Sequence, residues 1–222
     1  MFQNVLIAED QNTINKGVER TLNELSIPNI VTTQYCDDAL LKIRSAINSD
    51  IPFDLLITDL SFKADHRERQ LTSGEELIKA VKTIQPNLKI IVFSVEHRIG
   101  KIKNLIDTHN VDAYVEKGRE ESNDLKKAIR AVLEGNRYCS YNVEQLLRNV
   151  DDISQTDQYD ELLLQLLAKG LKREQIANYF QEKDFPARSL SSIEKRINKL
   201  KVLFDAHTSE QLVAIAIDRG LI

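Results

Sequence analysis

Short apolar runs and amphipathic segments alternate along the first 135 or so residues. Asn4-Val5-Leu6-Ile7-Ala8, Ile30-Val31-Thr32-Thr33, Phe53-Asp54-Leu55-Leu56-Ile57-Thr58, Ile90-Ile91-Val92-Phe93 and Ala113-Tyr114-Val115-Glu116 have the length and content of strands. Between and after them apolar residues recur at helical spacing. Ile14, Val18, Leu22 and Leu25 mark one helix, and Leu40, Ile43 and Ile47 the next. Leu77, Ile78, Val81 and Ile84 mark a third, which Pro86-Asn87 stops. Ile99, Ile102, Leu105 and Ile106 mark a fourth, and Leu125, Ala128, Ile129 and Val132 a fifth, ended by Gly135. Five β-then-α units with continuous apolar strands predict an α/β fold, a parallel five-stranded sheet covered on both faces.

Residues 138–157 are polar, with Asp151-Asp152 and Ser154-Gln155-Thr156, and read as a linker into which Leu146 and Leu147 extend a short helix. From Tyr159 the pattern is purely helical. Leu162, Leu163, Leu166 and Leu167 form a helix with Gly170 as its stop. A short second helix runs from Arg173 to Phe180, and Ile193, Ile197 and Leu200 line a third. Thr208 or Ser209 opens a fourth that runs to Gly220. The predicted organisation is a domain over 1–137, a linker over 138–157 and a small all-α domain over 158–222.

Composition narrows the class. Of 222 residues 42% are hydrophobic and 29% charged, ordinary for a globular protein. A net charge of −4 gives no global attraction to nucleic acid, so any such binding needs a local patch. No apolar run approaches the roughly 20 residues that cross a bilayer. Met1-Phe2-Gln3-Asn4 lacks the basic start of a signal peptide, and two cysteines suggest neither a disulfide framework nor a zinc site. The expectation is a reduced, cytoplasmic protein without membrane association.

Candidate chemistry lies at the strand ends. Glu9-Asp10 follow the first strand, Asp59 the third, Ser94 the fourth and Lys117 the fifth. Parallel sheets bind ligands outside the carboxyl ends of their strands, so these groups are expected to converge. Three acids drawn together repel one another unless a divalent cation lies among them. Asp59 is the expected nucleophile toward a phosphoryl group, with Glu9 and Asp10 on Mg²⁺. Lys117 and the Ser94 hydroxyl would meet phosphoryl oxygens.

These residues, with Tyr114-Val115-Glu116-Lys117 at the fifth strand, resemble the receiver domain of bacterial two-component response regulators. The resemblance implies a flavodoxin-like, doubly wound sheet of order 2-1-3-4-5 and Mg²⁺-dependent phosphotransfer from a sensor histidine kinase onto Asp59. It implies that the Ser61 backbone carbonyl ligates the metal and that Ser94 and Tyr114 form a switch pair. It also implies no enzyme beyond the receiver's part in its own phosphorylation and dephosphorylation. A phosphatase would want a second acid close after Asp59, and Leu60-Ser61 supplies none. One departure stands out: the family's Met-Pro pair is missing, and Ser73-Gly74 comes only after an inserted, charged loop over residues 62–73. The loop is expected to be a tolerated, mobile surface insertion, with altered kinase docking or phosphoryl lifetime as the alternative.

Residues 158–222 resemble the LuxR-type helix-turn-helix domain in Glu161–Leu171, Glu174-Gln175-Ile176-Ala177 and Ser209–Ile222. That implies four helices, with the third in the major groove of double-stranded DNA and the fourth at a dimer contact. The turn after the second helix is longer than the family's, and Lys172 stands where a Ser or Thr cap is usual. Between Lys169 and Lys201 nine Lys or Arg face four Asp or Glu, a local excess of five. Arg188, Ser191, Ser192, Lys195, Arg196 and Lys199 lie on or beside the third helix and are the candidate DNA contacts. The expected function is a response regulator and transcription factor, homodimeric when phosphorylated. A receiver-controlled adaptor whose C-terminal helices bind a protein is the alternative.

Overall fold

The computed structural model describes residues 1–64, 66–153, 158–204 and 206–222, without the side chains of 148–153 and 158. The chain divides into two compact units, Met1–Glu96 with Ile102–Glu144, and His97–Lys101 with Gln145–Ile222.

The first unit is built on β1 (Asn4–Ala8), β2 (Asn29–Thr33), β3 (Leu55–Thr58), β4 (Lys89–Ser94), β5 (Ala113–Glu116) and β6 (Tyr138–Cys139). The sheet order is β2-β1-β3-β4-β5-β6, and every pairing is parallel. Between the strands run α1 (Asn12–Glu24), α2 (Cys36–Asn48), α3 (Gly74–Ile84), α4 (Ile99–Asp107) and α5 (Glu121–Leu133). Every residue of β3 is buried, because helices cover both faces of the sheet. Ile7, Ile57, Ile91 and Val115 pack on one face with Val18 and Leu22 of α1 and Leu125, Ile129 and Val132 of α5. Each such buried Leu or Ile is worth about 1.5–3 kcal/mol, so the central strands lock the register that aligns their C-terminal ends.

Two expectations are corrected. The sheet has six strands rather than five: β6 adds Tyr138–Cys139 beside β5, and the Ser140 amide continues the ladder to the Tyr114 carbonyl at 2.9 Å. A strand of two residues shows no alternation, so nothing in the pattern announced it. Within the expected linker 138–157, β6 is followed by α6 (Tyr141–Ile153), while residues 154–157 lie outside the described residues. α6 contains the short helix expected at Leu146 and Leu147; Leu146 packs against the C-terminal core, and Val143 is fully buried.

The inserted loop is held rather than loose. An isolated antiparallel bridge between Ser61 and Ser73 closes its base. Arg67 forms a two-pronged ion pair with Asp38 at 3.0 and 2.7 Å and lies 4.5 Å from the Tyr35 ring centre. The Gln70 and Leu71 amides both donate to Asp37 at 3.0 Å.

The second unit contains α7 (Gln158–Ala168), α8 (Arg173–Glu182), α9 (Leu190–Phe204) and α10 (Ser209–Asp218). Leu163, Leu166, Ile176, Phe180, Ile193, Ile197, Leu200, Phe204 and Leu212 form its core. Gly170 ends α7 at φ 79°, a left-handed conformation open to glycine at little cost. Lys172 has no capping oxygen; instead Gln175 accepts a hydrogen bond from the Lys172 amide at 2.8 Å. Ser189 caps α9 by accepting from the Ser192 amide, and Thr208 caps α10 by accepting from Gln211.

Candidate functional site

At the C-terminal ends of β1, β3 and β5 three side chains meet. The backbone fixes them first: the Glu9 amide donates to the Thr33 carbonyl and the Asp59 amide to the Ala8 carbonyl, each at 3.0 Å. The Lys117 amide likewise donates to the Ser94 carbonyl at 3.0 Å. From there the Lys117 ammonium donates to Asp59 Oδ2 and to Glu9 Oε2, both at 2.7 Å. These side chains are nearly closed to water, at 6% exposure for Lys117, 3% for Asp59 and 2% for Glu9. Charge-assisted bonds in such surroundings are strong, and the shared ammonium offsets the repulsion between the two carboxylates. Burial raises the Glu9 pKa above the ordinary carboxylate value, and its bond to Lys117 opposes that rise.

Asp10 completes an acidic triplet with Glu9 and Asp59, each offering one oxygen within 4.8 Å of the others. Its Oδ2 accepts from the Lys63 amide at 2.8 Å, whereas its buried Oδ1 has no hydrogen-bond partner. An orphaned carboxylate oxygen beside two further acids is costly in a protein alone and suits a hard divalent cation. The residues present therefore fit Mg²⁺. Ser61 lies two positions beyond Asp59, at the bridge to Ser73.

Ser94 is fully buried at the end of β4. The Tyr114 ring is also fully buried, and its hydroxyl donates to the Glu96 carbonyl at 2.9 Å. Burial pushes the Tyr114 phenol well above its ordinary pKa, so it acts as a neutral donor.

The candidate DNA contacts separate into two kinds. Arg196 is committed to α7: its guanidinium pairs with Asp160, with Nη2 2.6 Å from Oδ2 and Asp160 only 1% exposed. Adjacent Lys195 and Arg196 look alike in sequence, but a helix turns them to different faces. Arg188 pairs with Asp184, and the Ser191 and Ser192 hydroxyls both bond Ser189. Lys195 and Lys199 are exposed and one helical turn apart on α9. Among the described residues neither makes an ion pair. Both border a cavity floored by Tyr159, Phe185 and Pro186.

No protein-family model and no curated protein matches the sequence. Solved structures do. The two-component response regulator RcsB in its DNA complex is 22% identical, with 97% of this chain and 98% of that chain covered and a TM-score of 0.65. A LuxR-family response regulator from an Aurantimonas species is 16% identical over 68% of this chain and 99% of its own, at 0.56. The isolated receiver (REC) domain of RcsB from Salmonella enterica serovar Typhimurium, in the presence of the phosphomimetic BeF₃⁻, is 26% identical. It covers 65% of this chain and 98% of its own, at a TM-score of 0.51.

The chain has the fold of a response regulator.

Within that fold the sheet-edge residues Glu9, Asp10, Asp59 and Lys117 converge as the strand pattern predicts. Gly74, named in the sequence for its place after the inserted loop, packs on the Asp59 backbone at the start of α3. Two other participants escaped the sequence reading. Lys63 acts through its amide and Glu96 through its carbonyl, and backbone groups leave no compositional trace.

Proposed function

We propose that this chain is a two-component response regulator whose Asp59 accepts a phosphoryl group from a sensor histidine kinase and whose C-terminal helices bind DNA to control transcription. The observation that carries the reading is Lys117, held 2.7 Å from both Asp59 and Glu9 beside an Asp10 oxygen without a partner. A carboxylate oxygen of Asp59 attacks phosphorus, the phosphorus–nitrogen bond of phosphohistidine breaks, and the imidazole leaves with the bonding pair. Lys117 moves from pairing two carboxylates to pairing a phosphoryl oxygen, and Ser94 donates to another. Mg²⁺ would be held by Glu9, Asp10, Asp59 and the Ser61 carbonyl and would supply charge neutralisation at the phosphoryl oxygens.

In this reading Ser94 moves toward the phosphoryl group, the already buried Tyr114 ring repacks against it, and the shift reaches the face made by α4, β5 and α5. The altered face frees the C-terminal helices or favours a homodimer, so that two α9 helices meet half-sites one helical turn apart. Lys195 and Lys199 neutralise phosphates. The receiver assists only its own phosphorylation and dephosphorylation. A cytoplasmic setting follows from this role, and no helix among the described residues is long and apolar enough to cross a membrane.

The test is phosphorylation by acetyl phosphate with Mg²⁺, read by intact mass. Wild type gains one phosphoryl group and Asp59→Asn gains none; equal labelling of both refutes the assignment. A second reading, an adaptor that binds protein, is favoured by the engagement of Arg196 and Arg188 with acids. Retention on duplex DNA that falls steeply with salt decides for DNA.

A further inference from the structure

The inserted loop reaches the acidic site through the backbone amide of Lys63. The Lys63 amide donates to Asp10 Oδ2, which leaves Oδ1 as the buried oxygen without a partner. A carboxylate is planar, so fixing one oxygen fixes the direction of the other. Lys63 is itself braced, since Arg69 Nη1 donates to the Lys63 carbonyl at 2.9 Å. Beyond Arg69 the loop is tied to the start of α2 at four hydrogen bonds, two from Arg67 to Asp38 and two from the Gln70 and Leu71 amides to Asp37. The Tyr35 ring under the Arg67 guanidinium adds a fifth attachment.

We infer that residues 66–71, with the Lys63 amide, form a strap that aims Asp10 at the metal, with Asp37, Asp38 and Arg67 as positioning residues remote from the cation. The inference rests on the proposed reading of Glu9, Asp10 and Asp59 as a Mg²⁺ site. Partners that orient a ligand without touching the metal set its affinity, because a ligand free to rotate must be ordered when the ion arrives. A lone ion pair as exposed as Arg67–Asp38 holds little, but here it acts with two backbone bonds and a ring in one short segment.

The experiment measures Mg²⁺ affinity of the full chain by isothermal titration calorimetry, with no phosphodonor present. Arg67→Ala should weaken binding about threefold and the Asp37→Ala, Asp38→Ala double variant about tenfold, with thermal unfolding of the metal-free protein little changed. Exchanging the ion pair, Asp38→Arg with Arg67→Asp, should recover most of the affinity lost in Arg67→Ala. Affinities within twofold of wild type in both weakened variants overturn the strap while the site reading stands. Failure of the exchanged pair to recover affinity overturns the role of Arg67 and Asp38. A wild type that binds no Mg²⁺ at millimolar concentration overturns the site reading, and the strap with it.

Discussion

Gly74 rests directly on the carbonyl of Asp59: a Cβ at residue 74 would fall 1.8 Å from that oxygen and 2.8 Å from its carbon. Both obstacles are backbone atoms of the strand end that carries the Asp59 carboxylate, so neither can swing aside. The Gly74 amide also donates to the Leu60 carbonyl at 3.1 Å, which binds the start of α3 to the same turn. Gly74→Ala should therefore cost at least the 1–3 kcal/mol usual for overpacking, and it should displace Asp59. Urea unfolding reads the first effect, and loss of acetyl phosphate labelling in the folded variant reads the second.

Lys117→Met would leave Glu9 and Asp59 buried without their shared cation. Stripping one partner from a buried ionic group costs about 3–5 kcal/mol, so the metal-free variant should unfold at markedly lower urea at pH 7.5. The pH dependence follows from Glu9. Its folded pKa is raised by burial, and losing Lys117 raises it further. A raised carboxyl pKa gives stability that is complete below the unfolded value of 4.5 and is lost as pH climbs through the folded value. The deficit of the variant should shrink steadily as the urea midpoint is measured from pH 7.5 down toward pH 5.

The two kinds of basic residue on α9 should part under mutation. Arg196→Ala abandons the 1% exposed Asp160 and should destabilise the C-terminal helices by about 3–5 kcal/mol. Lys195→Ala and Lys199→Ala should leave melting unchanged. Each should lower DNA affinity and reduce the slope of log affinity against log salt by about one. Calorimetric melting and a salt series of fluorescence anisotropy titrations check both arms.

Neither thiol should behave as a reactive cysteine. Burial pushes Cys36 up from 9.0 to about 12, with the Asp37 charge adding to the rise, and burial pushes Cys139 to about 11. At pH 8 an ordinary thiol is roughly one-tenth ionised and one of pKa 12 about a thousandfold less. Ellman's reagent should titrate two thiols in urea and react far more slowly with the native chain. The stabilising contribution of each group is full below pH 9.0 and fades as pH rises toward its folded value. Urea midpoints should accordingly fall above pH 9.

The central strands and the acids after them were legible because a buried parallel strand must be continuously apolar and its end must turn polar. Ile57 before Asp59 and Val115 before Lys117 are examples. The alternation in β2 is interrupted by exposure, but its place beside β1 follows from the fold order. Two features resisted for a shared reason: their partners are distant in sequence. Arg67 and Asp38 are 29 residues apart, and Arg196 and Asp160 are 36 apart, so only the folded chain distinguishes an anchored arginine from a solvated one. The inserted loop looked mobile because charge usually means solvent, whereas here Arg67 pairs with Asp38 and the Gln70 and Leu71 amides bond Asp37.

The sixth strand has a consequence for how copies of the chain can meet. It occupies one margin of the sheet with only Tyr138 and Cys139, while the other margin, β2, runs five residues, with Asn29 and Thr32 exposed and Thr33 buried. A rim two residues long gives an incoming strand almost nothing to zip onto, so the β6 side offers a second copy little chance of extending the sheet.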